Sequence, residues 1–340
     1  MSKTVIMVWI KTDSGTQHDG SIKSYGLGDL LRGTIFLHQM SVRYGFKLIV
    51  DLSMNPISKH LIVHKHDHAE YVNANMNKTC MVHYNEHDKF DVIYKASLIN
   101  PEPLLICTNL FCNEHLSVEC KQFMKTLLTP NEQFSTYINE QNALYNLSAP
   151  YSIIHIRLGD DEFFNTKSAN NSNMTDAIKI MKQHTMPGNI LMSNSQRFKN
   201  LVKSLHGHGH GGIAMFNTHP LHLGELSTIF HDVAESFRET LYEFFVLGNS
   251  SSIKTYSTYS WVSGFVKFAG LIHDVPVIDI KQPPSSTHRE IRDHKVVIPA
   301  SNKLWNSMRF KPTISVNRSH ATLNHHRLQP KQNFTFGIKH

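Results

Sequence analysis

The segment IHIRLGDD at positions 154–161 ends an apolar run on an imidazole, a guanidinium and two carboxylates grouped around one glycine. Such a run reads as a buried strand, and open α/β sheets bind their ligands outside the carboxyl ends of strands. Side chains alternate along a strand, so His155 and Arg157 share a face and can address one ligand together. Arg157 offers a planar fork of donors suited to two phosphate oxygens, and Gly159 permits a tight turn beside Asp160. The competing reading of Arg157 is a structural ion pair with Asp160.

Two other segments carry types fit for the same ligand. YGLGDLLRG at 25–33 sets Gly26 and Gly28 before a helix, where backbone amides and the positive helix end favour an anion, although such a pair also serves a plain tight turn. LGNSSSIKTYSTYSWVS at 247–263 is dense in hydroxyls and is read as the opening of a helix over 259–273. Ser257, Thr258 and Ser260 there could hold a phosphate with the following amides, or simply cap the helix.

These side chains need elements to position them. A β-branched run at 4–10, a polar loop to residue 25, a helix over 29–44 and a strand over 47–51 make one βαβ unit. Strands at 90–94 and 103–107 and helices over 117–128 and 131–144 follow, while 53–88 is polar, His-rich and without pattern, and is read as an insertion. After a Pro-bearing break at 146–150 the pattern restarts: strand 152–158, helix 174–184, strand 189–192, helix 195–205, strand 212–216, helix 226–247, helix 259–273 and strand 276–280. Alternation of this kind implies parallel sheets covered on both faces. The expected architecture is α/β with two Rossmann-like domains, 1–148 and 149–280, facing each other across a cleft, followed by a basic, irregular extension over 281–340.

Composition bounds the partners. The chain of 340 residues is 40% hydrophobic and 18% charged, and no apolar run approaches the length of a membrane span, so disorder and a membrane-embedded protein are excluded. Its net charge of +7 is uneven: 11 of the 34 Lys and Arg lie from Lys281 onward against 2 of the 27 Asp and Glu, which leaves 23 basic and 25 acidic residues in positions 1–280. The basic tail is read as supporting the body rather than as a nucleic-acid module. With no secretory signal the expected compartment is the cytoplasm, and the Asn-x-Ser/Thr sequons at Asn77, Asn146, Asn170, Asn173, Asn249, Asn317 and Asn333 are chance occurrences. Cys80, Cys107, Cys112 and Cys120 form no C-x-x-C pair and read as free thiols, although His83, His87 and His115 nearby keep a Cys/His zinc site conceivable. His64, His66 and His68, like His206, His208 and His210, alternate in a way that could chelate metal, and both runs are read as non-functional.

Together, His155-x-Arg157-x-Gly159-Asp160, the 26–33 loop and helix and the 248–265 segment resemble the fucosyltransferase-like branch of the GT-B glycosyltransferases. The resemblance spans roughly 3–50 and 150–280 and implies an inverting transferase, with no metal or other cofactor. It moves a sugar, usually L-fucose from GDP-fucose, onto a glycan hydroxyl. It implies that Arg157 holds the donor's β-phosphate, that the helix start near Ser257 assists, and that His155 borders the nucleotide. Where the family carries an acidic pair able to take both N–H groups of guanine, this chain has Ser193, Asn194 and Ser195, which leaves a UDP- or dTDP-linked sugar as an alternative donor. The family's base has no match at Asn165, so Asp161 and Glu162 become the catalytic candidates for deprotonating the acceptor, with Asp13, Asp19 and Asp29 behind them. A nucleotide- or glycan-binding protein without chemistry is the reading outside enzymes. The acceptor's identity and the oligomeric state stay open.

Overall fold

The structure, a computed structural model, describes residues 2–9, 26–111, 113–147, 150–159, 171–206, 214–216, 218 and 233–281. Two all-parallel sheets organise them. The first is built from β1 (Thr4–Val8), α1 (Leu27–Tyr44), β2 (Lys47–Asp51), α2 (Ala69–Asn75), β3 (Cys80–Val82), α3 (His87–Ser97), β4 (Leu104–Thr108), α4 (Val118–Leu127) and α5 (Glu132–Leu144). Its strand order is β2-β1-β4-β3. The second comprises β5 (Ser152–Arg157), α6 (Asn171–His184), β6 (Asn189–Ser193), α7 (Gln196–His206), β7 (Ala214–Met215), α8 (Val233–Gly248), β8 (Ser252–Ser257), α9 (Gly264–His273) and β9 (Val277–Asp279). Its order, β7-β6-β5-β8-β9, winds outward in both directions from β5, which places the reversal of strand order between β5 and β8. That crevice is where doubly wound sheets bind ligands.

Alternation along β5 sorts its side chains as expected. Ile154, Ile156 and Leu158 enter one apolar cluster with Leu191 and Phe198, whereas Ile153 enters the larger cluster on the opposite face. His155 and Arg157 continue the Ile153 face beyond the point where the core ends. That larger cluster is common to both sheets, since it holds Val5, Leu30 and Ile106 together with Phe244, Val266 and Ile272. Burying one apolar body between them joins the two halves through α9, which packs on both α1 and α4. Ion pairs Lys121–Asp274 and Lys267–Glu114 cross the same boundary.

Two glycines allow close approaches that the site depends on. A Cβ on Gly33 would sit 1.7 Å from the Thr108 carbonyl oxygen, so only glycine lets α1 lie on the end of β4. A Cβ on Gly28 would meet the Gly264 carbonyl carbon and the Phe265 nitrogen at 3.0 Å, so the first turns of α1 and α9 touch backbone to backbone.

Three sequence-based expectations are corrected. Residues 90–94 are helical, inside α3: Phe90 and Tyr94 are buried one turn apart while Val92 between them is 66% exposed, a spacing of four that a five-residue window also fits to a strand. The 53–88 stretch is no insertion, because it contributes α2 and the edge strand β3, which pairs in parallel with β4. The hydroxyl-rich segment hides the inner strand β8, whose Ser, Thr and Tyr fill inward positions that aliphatic residues usually take, and α9 starts at Gly264 rather than at 259. The helix expected over 226–247 is described from Val233, and the tail beyond 281 lies outside the described residues. Among the described residues no helix is long and apolar enough to cross a membrane.

Candidate functional site

The carboxyl ends of both sheets open on a cleft of about 470 Å³. From the first half it is lined by Gly26, Leu27, Gly28, Asp29 and Arg32 of the α1 start and by Phe111 after β4. From the second half come His155 and Arg157 of β5, Asn194 after β6, Thr240 and Glu243 of α8, and the run from Tyr259 into α9. Of the expected site residues, Gly26, Gly28, His155, Arg157 and Asn194 therefore meet in one place. Asp160, Asp161 and Glu162 lie outside the described residues, as do Asp13, Asp19 and Asn165.

The remaining expected donor-binding residues build the walls without lining the cleft. Ser193 Oγ accepts the Ser195 N–H at 3.2 Å, and Ser195 Oγ accepts the Phe198 N–H at 3.0 Å, capping α7. Ser257 Oγ accepts the Tyr259 N–H at 3.2 Å, Thr258 Oγ1 accepts the Gly159 N–H at 3.1 Å, and Ser260 is exposed. Ser, Thr and Asn favour such local backbone bonds, which is why a hydroxyl-rich sequence is a weak sign of a ligand. Asn194 also works on the backbone: Oδ1 accepts the Leu158 N–H at 2.8 Å while Nδ2 donates to the Gly159 carbonyl at 3.0 Å. It clamps the turn after β5, where Gly159 adopts a φ of +37°.

Two helix starts converge on the cleft. The N-cap of α1 is Gly26 and that of α9 is Ser263, and neither supplies a side-chain cap. The first amides of a helix have no intrahelical acceptor and carry the positive end of its dipole, so both turns are ready donors to an anion. Arg157 adds a cation at the end of β5. Arg32 and Lys267 line the cleft as well, but their charges are tempered, Arg32 lying 3.5 Å from Asp29 and Lys267 pairing with Glu114. Arg32 Nε also donates to the Asn109 carbonyl at 2.6 Å, which fixes it to the loop after β4.

Behind these cations and helix starts lie buried polar residues, of which sequence reading named His155 and missed Lys199 and Glu243. His155 is 5% exposed, its Nδ1 3.4 Å from Thr255 Oγ1; burial first, then the charges of Arg157 and Lys199, push its pKa down to about 3, so it is neutral at physiological pH. Lys199, fully buried, donates to the Thr218 carbonyl at 2.6 Å, and Thr218 Oγ1 donates to Glu243 Oε1. Burial lowers the Lys199 pKa and raises that of Glu243, and the two charges oppose those shifts in each other. The sign was present in the sequence: Glu243 is the one acid in the apolar run LYEFFVL at 241–247, and charged residues are almost never fully buried without a partner. Its partner, 44 positions away in Lys199, is visible only once α7 and α8 are placed.

Of the two histidine runs read as possible chelators, the one at 64–68 lies among the described residues. His66 Nδ1 accepts the His68 N–H at 3.3 Å and its Nε2 lies 3.1 Å from Asp51 Oδ2, a local pair rather than a cluster. Among the described residues no three His, Cys, Asp or Glu side chains gather as a cation site. His208, His210 and Cys112 lie outside them.

No protein-family model matches the sequence, and no curated protein matches it. Solved structures do. Fucosyltransferase NodZ from Bradyrhizobium aligns with a TM-score of 0.51 at 11% identity, covering 84% of this chain and 97% of that one. A NodZ α-1,6-fucosyltransferase co-crystallized with GDP aligns at 0.49 and 12% identity over 82% and 94% of the two chains. An Arabidopsis thaliana FUT1 mutant in complex with GDP aligns at 0.48 and 12% identity over 82% and 70%. The first of these likenesses shows the fold: α/β of the GT-B type, two Rossmann-like halves facing each other across a cleft.

Proposed function

We propose that the chain is an inverting glycosyltransferase that moves L-fucose from GDP-fucose to a glycan hydroxyl without a metal ion. The observation that carries this reading is the placement of Arg157 at the strand-order reversal, in a cleft where the first turns of α1 and α9, neither capped by a side chain, meet. The fold shared with the solved fucosyltransferase NodZ supports it.

In this reading the donor's diphosphate rests on the two helix starts and Arg157. The acceptor oxygen attacks the anomeric carbon while the bond from that carbon to the β-phosphate oxygen breaks, and GDP leaves. Negative charge grows on the β-phosphate as the sugar becomes cationic, so a fixed guanidinium and oriented amides stabilise the transition state more than the bound substrate. The acceptor's proton passes to a carboxylate, Asp161 or Glu162 on the segment after β5, or Asp29 in the cleft. The second half, 149–280, holds the nucleotide of the donor, and the first, 1–148, faces the acceptor from across the cleft.

Guanine is favoured by Glu243. Its carboxylate can accept two parallel N–H groups, which guanine alone among the common bases presents on one edge; uracil and thymine flank their single N–H with carbonyls that repel it. In this reading a carboxylate on another element takes the part that Asn194 cannot. Since a ligand that binds only the folded state raises its melting temperature, GDP is expected to shift Tm well above the shifts given by UDP and dTDP at equal concentration. Equal shifts from all three would remove guanine from the proposal.

A further inference from the structure

The cleft has an aromatic rim that nothing in the diphosphate or guanine contacts accounts for. Trp261 stacks on Tyr259 with ring centroids 5.1 Å apart and planes 11° from parallel, yet the indole is 63% exposed. Of the large apolar side chains that are exposed among the described residues, Trp261 is the one that lines the cleft.

Its exposure is held in place by the backbone below it. Ser257 Oγ accepts the Tyr259 N–H, and Lys281 Nζ donates to the Tyr259 carbonyl at 2.9 Å and to that of Thr258 at 3.4 Å. Thr258 N–H in turn bonds the Arg157 carbonyl at 3.0 Å, so the segment carrying the two rings is tied to the strand that carries Arg157. A wide, rigid aromatic face shown to solvent gains contact area at little cost in side-chain freedom.

We propose that Trp261, braced by Tyr259, is the acceptor subsite, and that its ligand is a neutral sugar ring laid with its apolar C–H face on the indole. This rests on the glycosyltransferase reading of the cleft. A neutral sugar has no charge for the cleft's cations to grip, and a stacking face is what gives it purchase. The rim is the right place for such a face, because an acceptor arrives from solvent and departs larger, whereas a base held by Glu243 and His155 lies on the buried floor. The stack sits beside Ser263 and Gly264, the α9 start proposed to hold the diphosphate, so a sugar on Trp261 lies next to the bond that breaks.

The test is binding of the GDP-saturated full chain to an immobilised panel of neutral oligosaccharides of glucose, galactose, mannose and N-acetylglucosamine. GDP affinity is titrated separately for every variant. Wild type is expected to retain at least one sugar class, Trp261→Ala to lose it about tenfold or more, and Trp261→Phe to keep most of it, with GDP affinity and Tm unchanged throughout. Retention of the sugar by Trp261→Ala, capture of no oligosaccharide by wild type, or a fall in GDP affinity without change in sugar binding would each overturn the proposal, the last by giving the stack to the base. Failure of wild type to bind GDP is a separate result, and it would count against the donor reading instead.

Discussion

Arg157→Ala is expected to cut fucose transfer by ~10²- to 10³-fold, roughly 2.7 to 4 kcal/mol, the usual cost of removing one preorganised donor from a developing charge. Melting temperature should hardly change. Arg157 lies at the end of β5, past the last side chain that its face gives to the core, so no apolar packing is lost with it. Arg157→Lys should recover little, because an ammonium cannot match two phosphate oxygens at once. The competing role, an ion pair with Asp160 or Asp161, predicts the opposite ordering: a clear drop in Tm with turnover per folded molecule preserved. Rates under saturating donor and Tm, measured on both variants, separate the two.

Glu243→Gln is expected to weaken GDP binding by about 10- to 100-fold, or ~1.4 to 2.7 kcal/mol, since hydrogen bonds to a charged group are the strong ones and an amide can accept only one of the two guanine N–H groups well. The change also leaves Lys199 buried without its carboxylate, so Tm should fall. A ratio removes that complication. Inosine diphosphate lacks the 2-amino group, so wild type should prefer GDP over it by about tenfold, and the preference should vanish in Glu243→Gln. An unchanged ratio would mean that Glu243 merely neutralises Lys199 and that the base is read elsewhere.

How much of this was legible in the sequence depended on whether the signal was local. The strand at 47–51 and the face shared by His155 and Arg157 follow from aliphatic runs and alternation, and both are found as read. The same rules failed where side-chain chemistry and burial part company. β8 is an inner strand whose Thr255 and Ser257 are buried, and a polar composition disguised it as the mouth of a helix. The hydroxyls of Ser257 and Thr258, read as phosphate ligands, each accept a backbone N–H, and the helix start expected near them lies at Ser263 and Gly264. Glu243 of α8 lines the cleft and is linked through Thr218 to Lys199 of α7, a relation between distant segments that no spacing rule expresses. Gly28 looked like one half of an anion loop; the structure adds that it is the contact at which two helix starts meet.

Purified protein incubated with GDP-fucose in excess EDTA is the most direct test of the central claim. The cleft supplies its own charge through Arg157 and two helix starts, so release of GDP with transfer of fucose to water or to an added oligosaccharide should proceed at an undiminished rate in the chelator and fall by ~10²-fold or more in Arg157→Ala. No release of GDP by a protein that binds it would make the chain a binder rather than an enzyme. Release that stops in EDTA and returns with a divalent ion would contradict the account of how the leaving diphosphate is held.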